Sequence, residues 1–204
     1  MHLFPLFLKL QSRRCLVVGA GPISEGKIAG LLESGAKVHV IAPKATSQIV
    51  EWHKKRKLRL TKRAFRANDL DHMFLVVAAT NSRKVHGAIY REARKRNVLC
   101  NIVDVPALCD FYYPAVVRRG QLQIAISTAG ASPSLARRLR EEMESRFSPE
   151  YADWLKHLAR ERRKILAKKI PIAERLERLK KLASAKALSA FLRSRPTRRS
   201  RKKS

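Results

Sequence analysis

Cysteine is scarce: Cys15, Cys100 and Cys109 are the only thiols in 204 residues, and no two of them form a C-x-x-C pair. That spacing excludes a disulfide scaffold and offers no zinc signature. Cys15 and Cys100 lie inside apolar runs, where a thiol packs as a small hydrophobe. Aromatic residues make up only 6% of the chain, and they form no pattern of base-stacking platforms. No apolar run approaches the roughly 18 residues of a membrane span. The opening Met1 to Leu10 is apolar but lacks a basic leader region and an A-x-A cleavage site. The expectation is a cytoplasmic chain with no membrane partner and no metal ligands of its own.

Acid is the other shortage. Sixteen acidic side chains stand against 45 lysines and arginines, for a formal net charge of +29. The excess is shared, with 26 basic and 12 acidic residues over 1–150 and 19 and 4 over 151–204. A field of that sign gathers polyanions, whether nucleic acid, an acidic lipid surface or a polycarboxylate metabolite, and charge alone does not choose among them. The apolar fraction of 45% is ordinary, enough for one good core and a smaller appendage at this length.

Strand and helix patterns alternate through the first 105 residues. RCLVV (14–18) reads as a buried strand, 24–33 as a helix stopped by Gly35, and KVHVI (37–41) as a second strand. A helix follows over 46–55, then a short strand at 58–60, a buried strand MFLVVAA (73–79), a helix over 82–96 and a strand VLCNIV (98–103). This order predicts an α/β, Rossmann-type doubly wound, mostly parallel sheet. Extended segments at 111–117 and 121–127 flank Gly120, and Ser132-Pro133 starts a helix with Leu135, Leu139, Met143 and Phe147 at steps of four. Such a stripe requires a covering surface. A helix from Ser148-Pro149 to about Pro171 and another over 172–192 complete the pattern. The predicted organisation is a nucleotide-binding domain over 1–110, a dimerisation segment over 111–147, a small helical domain over 148–193 and a disordered basic tail over 194–204.

Gly19-Ala20-Gly21-Pro22-Ile23-Ser24 sits where a dinucleotide fingerprint belongs, directly after the first strand and opening the first helix. Gly19 permits the tight turn, and Gly21 lets backbone approach a pyrophosphate drawn to the helix N-terminus. Ser24 replaces the third glycine. An ordinary glycine turn is the bland reading, but the strand-turn-helix context favours nucleotide binding through Gly19, Gly21, Pro22 and Ile23. Pro43 and Lys44 end the second strand without the acid that often binds the ribose 2′-hydroxyl, so Lys44 leaves the choice between NAD and NADP open. Thr80 and Asn81 stand at the cofactor rim. Asn101 and Asp104 end the next strand, where Asp104 either faces the cleft or caps the turn before Val105-Pro106. Ser127 and Thr128 lie in a hydroxyl-rich loop entering a helix N-terminus, which suits a carboxylate.

With these blocks in order, the chain resembles the siroheme synthase N-terminal module, also found as stand-alone precorrin-2 dehydrogenase. The matching residues are LFPLF (3–7), CLVVGAGPISEGK (15–27), VIAP (40–43), VVAATN (76–81), CNIVDVP (100–106), FYYPAVVRRGQLQIAIST (111–128) and GASPSLARRLREEME (130–144). The resemblance is strong over 1–150 and weak beyond. It implies NAD-dependent oxidation of precorrin-2 to sirohydrochlorin by a homodimer joined through its middle segment. Asp104 matches the family's catalytic aspartate; Asn101, Ser127 and Thr128 are expected to bind substrate from their positions at the strand end and in the hydroxyl-rich loop. Some family members also insert iron, so transient Fe2+ binding remains open. The chain departs at Ser24, where alanine is more usual, and at Thr128, where a second serine is common. No block resembles the uroporphyrinogen methyltransferase, so methylation is expected from another protein.

The substrate class agrees with the charge, since a positive cleft attracts a polycarboxylate. Arg118, Arg119, Arg137 and Arg138 are candidate contacts, although each also reads as a solvated charge. Two rivals stand: a nucleic-acid-binding protein on a Rossmann core, argued from the charge and the tail, and a chelatase without redox chemistry. The intact glycine turn argues against the second.

Overall fold

Four strands of continuous apolar residues have to be covered on both faces, and that requirement organises the N-terminal part of the chain. The computed structural model describes residues 3–194, which divide into two compact units between Tyr113 and Pro114. In the first unit β1 (Arg14–Val18), β2 (Lys37–Ile41), β3 (Arg59–Thr61), β4 (Leu75–Ala78) and β5 (Leu99–Ile102) form one parallel sheet in the order β3-β2-β1-β4-β5. Its crossovers are α1 (Pro22–Glu33), α2 (Ser47–Lys54) and α3 (Arg83–Lys95). The order reverses between β1 and β4, which makes their carboxyl ends the switch point where ligands of such sheets bind.

Strand alternation splits the core in two. Cys15, Val17, Val38, Val40, Leu75 and Val77 pack with Ile28 and Leu31 of α1 and Ile49 of α2. Leu16, Val18, Ile41, Val76, Ala78, Cys100 and Ile102 pack on the other side with Ile89 and Ala93 of α3. In register, Val17 lies between Val40 and Val77. Each fully buried side chain of this kind stabilises by about 1.5–3 kcal/mol relative to exposure.

The second unit starts with an antiparallel hairpin, β6 (Ala115–Arg119) and β7 (Leu122–Ile126), whose strands pair with each other and not with the large sheet. Four helices follow: α4 (Pro133–Arg146), α5 (Tyr151–Leu166), α6 (Ile172–Leu182) and α7 (Ala185–Arg193). Trp154 is its buried anchor, stacked on His157 at 5.4 Å and tilted against Phe191 at 5.0 Å. The hairpin, α4 and the helices expected as a separate domain share this one unit.

Three differences from the sequence reading have local causes. The single helix expected over 172–192 is two, because the Ser184 hydroxyl accepts the Ala187 N–H at 3.2 Å and starts α7 anew. Thr46 and Ser82, read as helical, are instead caps that accept from Ile49 and Val85. Short 3-10 turns at 67–70 and 106–108 carry no apolar period and went unread. The expected basic tail falls, apart from Ser194, outside the described residues. No helix among the described residues is long and apolar enough to cross a membrane.

Candidate cofactor and active site

β1 ends at Val18 and the chain turns at once. Gly19 has φ +105°, and its N–H donates to the Ile41 carbonyl at 2.9 Å. A β-carbon there would lie 2.1 Å from the Ala79 carbonyl oxygen, so any side chain collides with the loop after β4. Gly21 serves a different end. A β-carbon on it would meet nothing within 4 Å, and no side chain caps α1, whose first helical residue is Pro22. An uncapped N-terminus of a 12-residue helix facing open space fits a dinucleotide pyrophosphate, through free amides and the positive end of the helix dipole. Ile23 is exposed beside it, whereas Ser24 is fully buried with its hydroxyl unpartnered.

Two neighbouring loops complete this edge. The Ala20 carbonyl accepts the Thr46 N–H at 3.0 Å, which ties the glycine turn to the start of α2, and Pro43 and Lys44 stand exposed between them. After β4, Ala79 donates to Val18 at 2.8 Å and brings Thr80 against Gly19, while Asn81 is exposed. His86, 8% exposed, donates from Nε2 to the Thr80 carbonyl at 2.7 Å. The carbonyl only accepts, so Nε2 carries the hydrogen. Sequence reading missed His86; its signal was a polar residue on the sheet-facing side of α3, three positions before Ile89.

Asp104 follows β5 in a turn closed by Val105 N–H on the Ile102 carbonyl at 3.1 Å. Its φ is +62°, its side chain is exposed, and its carboxylate makes no hydrogen bond or ion pair among the described residues. It therefore caps nothing. Asn101, two residues inside the strand, is 7% exposed, and its amide donates to the Phe111 carbonyl at 2.8 Å. Asp110 accepts the Cys100 N–H at 2.9 Å, and these bonds lace 109–113 onto β5. At the end of that segment Lys27 of α1 rests its ammonium over the Tyr113 ring, 3.8 Å from the centroid. Burial pushes the Cys15 thiol up to about 11 and the Cys100 thiol to about 12, so neither is a nucleophile at neutral pH. Among the described residues no group of three or more His, Cys, Asp or Glu is gathered to hold a metal.

The second unit carries the other expected contacts. Ser127 is exposed, its hydroxyl accepting the Ala129 N–H at 3.1 Å. The Thr128 hydroxyl is engaged twice, donating to the Ser132 carbonyl and accepting the Ser132 N–H, each at 3.1 Å. Arg119 closes the C-terminus of α4, donating to the Phe147 carbonyl at 2.6 Å and the Glu144 carbonyl at 3.0 Å. Arg137 and Arg138 pair one turn on with Glu141 and Glu142. Arg118 alone of that set is exposed and outside any ion pair among the described residues.

A parallel sheet with an uncapped glycine turn at its switch point defines an NAD(P)-binding protein of the Rossmann type. A family described as putative NAD(P)-binding matches residues 6–115, and one described as sirohaem biosynthesis protein central matches 119–146. Siroheme synthase of Methylococcus capsulatus is 40% identical over 171 residues, which is 84% of this chain and 36% of that protein. Siroheme synthase 1 of Aeromonas hydrophila subsp. hydrophila is 37% identical over 182 residues, 88% of this chain and 39% of the relative. The chain thus spans a little over a third of the length of these curated relatives. Among solved structures, SirC, precorrin-2 dehydrogenase, superposes with a TM-score of 0.79 at 30% identity, covering 94% of this chain and 98% of its own. The chain belongs to the precorrin-2 dehydrogenase family, which includes the N-terminal module of siroheme synthase.

Proposed function

We propose that this chain oxidises precorrin-2 to sirohydrochlorin with NAD, and that Asp104 is its principal chemical side chain. The observation that carries this reading is the unengaged, exposed Asp104 carboxylate at the same carboxyl edge of the sheet as the open turn at Gly21. Gly19, Gly21, Pro22 and Ile23 hold the pyrophosphate, Pro43 and Lys44 border the adenosine ribose, and Thr80 and Asn81 form the rim toward the nicotinamide. NAD, when bound, supplies the hydride acceptor. The protein then has two tasks, orienting the tetrapyrrole and removing its proton, and a carboxylate free of other partners suits the second. Ser127 meets a substrate carboxylate. Asn101 and Thr128 act one step back, since their polar groups are already engaged by Phe111 and Ser132. The basic excess raises the local concentration of this polycarboxylate, which suits a soluble cytoplasmic enzyme.

Anaerobic incubation with precorrin-2 and NAD, or NADP in parallel, tests the reading by absorbance of the reduced nicotinamide and of the product. Asp104→Asn is the decisive variant because asparagine tolerates a positive φ and keeps the shape while losing the base. It should lower turnover by about 100- to 10,000-fold with NAD affinity unchanged. Normal turnover by that variant would remove Asp104 from the chemistry. Ferrous ion added after oxidation asks separately whether the chain inserts iron.

The same reading includes a homodimer through 111–147. No residue of α4 is buried, Leu135 is 39% exposed, and Phe4 and Phe7 are 84% and 69% exposed. Apolar groups so displayed favour a covering surface. Light scattering at micromolar concentration should give twice the chain mass, and a monomer would overturn this part.

A further inference from the structure

The Asp104 carboxylate makes no hydrogen bond or ion pair among the described residues, so its direction is set by the backbone that carries it. That backbone is tied on both sides. The Val103 N–H donates to the Ala78 carbonyl at the end of β4 at 2.9 Å, and the Val105 N–H closes the turn on the Ile102 carbonyl at 3.1 Å. Behind the turn lies Cys109. Its thiol sits 3.2 Å from the Ile102 carbonyl oxygen and 3.3 Å from that of Val105, and its single hydrogen can go to either. Two carbonyls that bracket Asp104 thus rest on one sulfur.

The next residue holds that sulfur in place. Asp110 pairs with Cys100 twice: its N–H donates to the Cys100 carbonyl at 2.8 Å, and its carboxylate accepts the Cys100 N–H at 2.9 Å. Residues 101–109 are thereby closed into a loop clasped at its base on β5, the edge strand of the sheet. Asn101 adds a further tie, its amide donating to the Phe111 carbonyl at 2.8 Å and to the Cys109 sulfur at 3.5 Å. Arg94 reaches the other carboxylate oxygen of Asp110 only at 3.5 Å from a side chain that is 65% exposed, a pairing worth little to the loop.

We propose that Asp110 is a positioning residue for the dehydrogenation assigned above: its carboxylate, bonded to the Cys100 N–H, clasps the loop shut and keeps Cys109 behind the turn that aims Asp104. Asp110 touches neither Asp104 nor the reactants and acts through the loop. A part for Asp110 as acid or base is weaker, because it would have to release the Cys100 N–H and leave an edge-strand donor unpaired. Misplacing a reacting group by about 1 Å costs on the order of 100-fold in rate. A loosened clasp is therefore read first in turnover.

The proposal rests on the assigned reaction, but one arm of its test does not. In the full chain without substrate, hydrogen exchange at the Val105 amide should quicken by about tenfold or more in Asp110→Ala, and unchanged protection overturns the clasp. In turnover, Asp110→Ala should lower kcat by about 10- to 100-fold with KM and NAD affinity little changed. Asp110→Asn keeps an oxygen for the Cys100 N–H and should restore most of the rate. If it is as slow as Asp110→Ala, the acid itself takes part and the positioning role falls. Arg94→Ala should leave the rate as it was, and a loss equal to that of Asp110→Ala would transfer the role to the ion pair. The deciding measurement is a double-mutant cycle. Once Asp104→Asn has removed the base, Asp110→Ala should cost nothing more, whereas losses that multiply would mean that Asp110 acts elsewhere. If Asp110→Ala does not fold, Cys109→Ala, which removes the sulfur behind the turn, carries the exchange measurement and the cycle with the same expectations. If the wild type is inert toward precorrin-2 and NAD, the assigned reaction falls, and the exchange alone upholds or overturns the clasp.

Discussion

His86 Nε2 donates to the Thr80 carbonyl across 2.7 Å, joining the first turn of α3 to the loop that follows β4. Because Thr80 lies against Gly19, this bond also fixes one wall of the glycine turn. His86→Leu would leave the carbonyl without its donor, at a cost of about 1–3 kcal/mol. A matching drop in unfolding free energy is expected, with weaker NAD binding by calorimetry. His86→Gln, which keeps a donor, should recover part of both.

Gly19 and Gly21 should fail in different ways. Gly19→Ala puts a β-carbon 2.1 Å from the Ala79 carbonyl at φ +105°, so the folded state itself is strained and the thermal midpoint falls. Gly21→Ala meets nothing in the chain and sits at φ −86°, so the midpoint without ligand should hold while NAD no longer raises it. Equal loss of stability in both variants would remove the argument that the space at Gly21 is kept for a ligand.

Ser24 occupies the third glycine position of the turn and carries a buried hydroxyl with no partner. An unsatisfied buried hydroxyl costs about 1–3 kcal/mol. Ser24→Ala is therefore expected to be neutral or stabilising by about 1 kcal/mol in urea unfolding. A loss of that size instead would mean that the hydroxyl finds a bond in solution.

Asp69 is clasped by Arg63 through two bonds of 2.6 and 2.8 Å and accepts the Arg66 N–H at 2.7 Å. Burial raises its carboxyl, but the Arg63 and Arg66 bonds prevail and hold it below the usual range. A depressed carboxyl contributes stability above its unfolded value, near pH 4, and loses it as pH falls through the folded value. Asp69→Asn should thus be less stable at pH 7, and the difference should vanish in strong acid. A gap that persists there would assign the effect to packing.

With Cys15 and Cys100 buried and all three thiols raised by desolvation, none should react quickly with a disulfide reagent at pH 7. Three equivalents should appear on unfolding in guanidinium. A rapid native equivalent would single out Cys109, the half-buried one.

Much of the first unit was legible because its signals are local. The runs at 14–18 and 37–41 can only be buried strands, and their observed limits agree with the sequence reading. Gly19 could be assigned to the turn from strand-turn-helix order, and Asp104 to the sheet edge from its position after CNIV. What stayed hidden depends on pairings across the chain. Nothing in the residues around Asn101 tells that its amide is taken by Phe111, and nothing near Thr128 shows both its bonds going to Ser132. The division at Ser184 was readable in principle, but a serine inside an apolar period is outweighed by the period itself.

Backbone conformation at Asp104 restricts how this position can vary. At φ +62° asparagine and glycine replace aspartate with the least added strain, whereas glutamate, which carries the same acid, has no such preference for this conformation. A relative that gave up the reaction could drift to asparagine or glycine here and remain as well folded as before. On the proposed role of Asp104, the residue at this one position would tell working members of the family from those that keep only the fold, and stability measurements alone would not separate them.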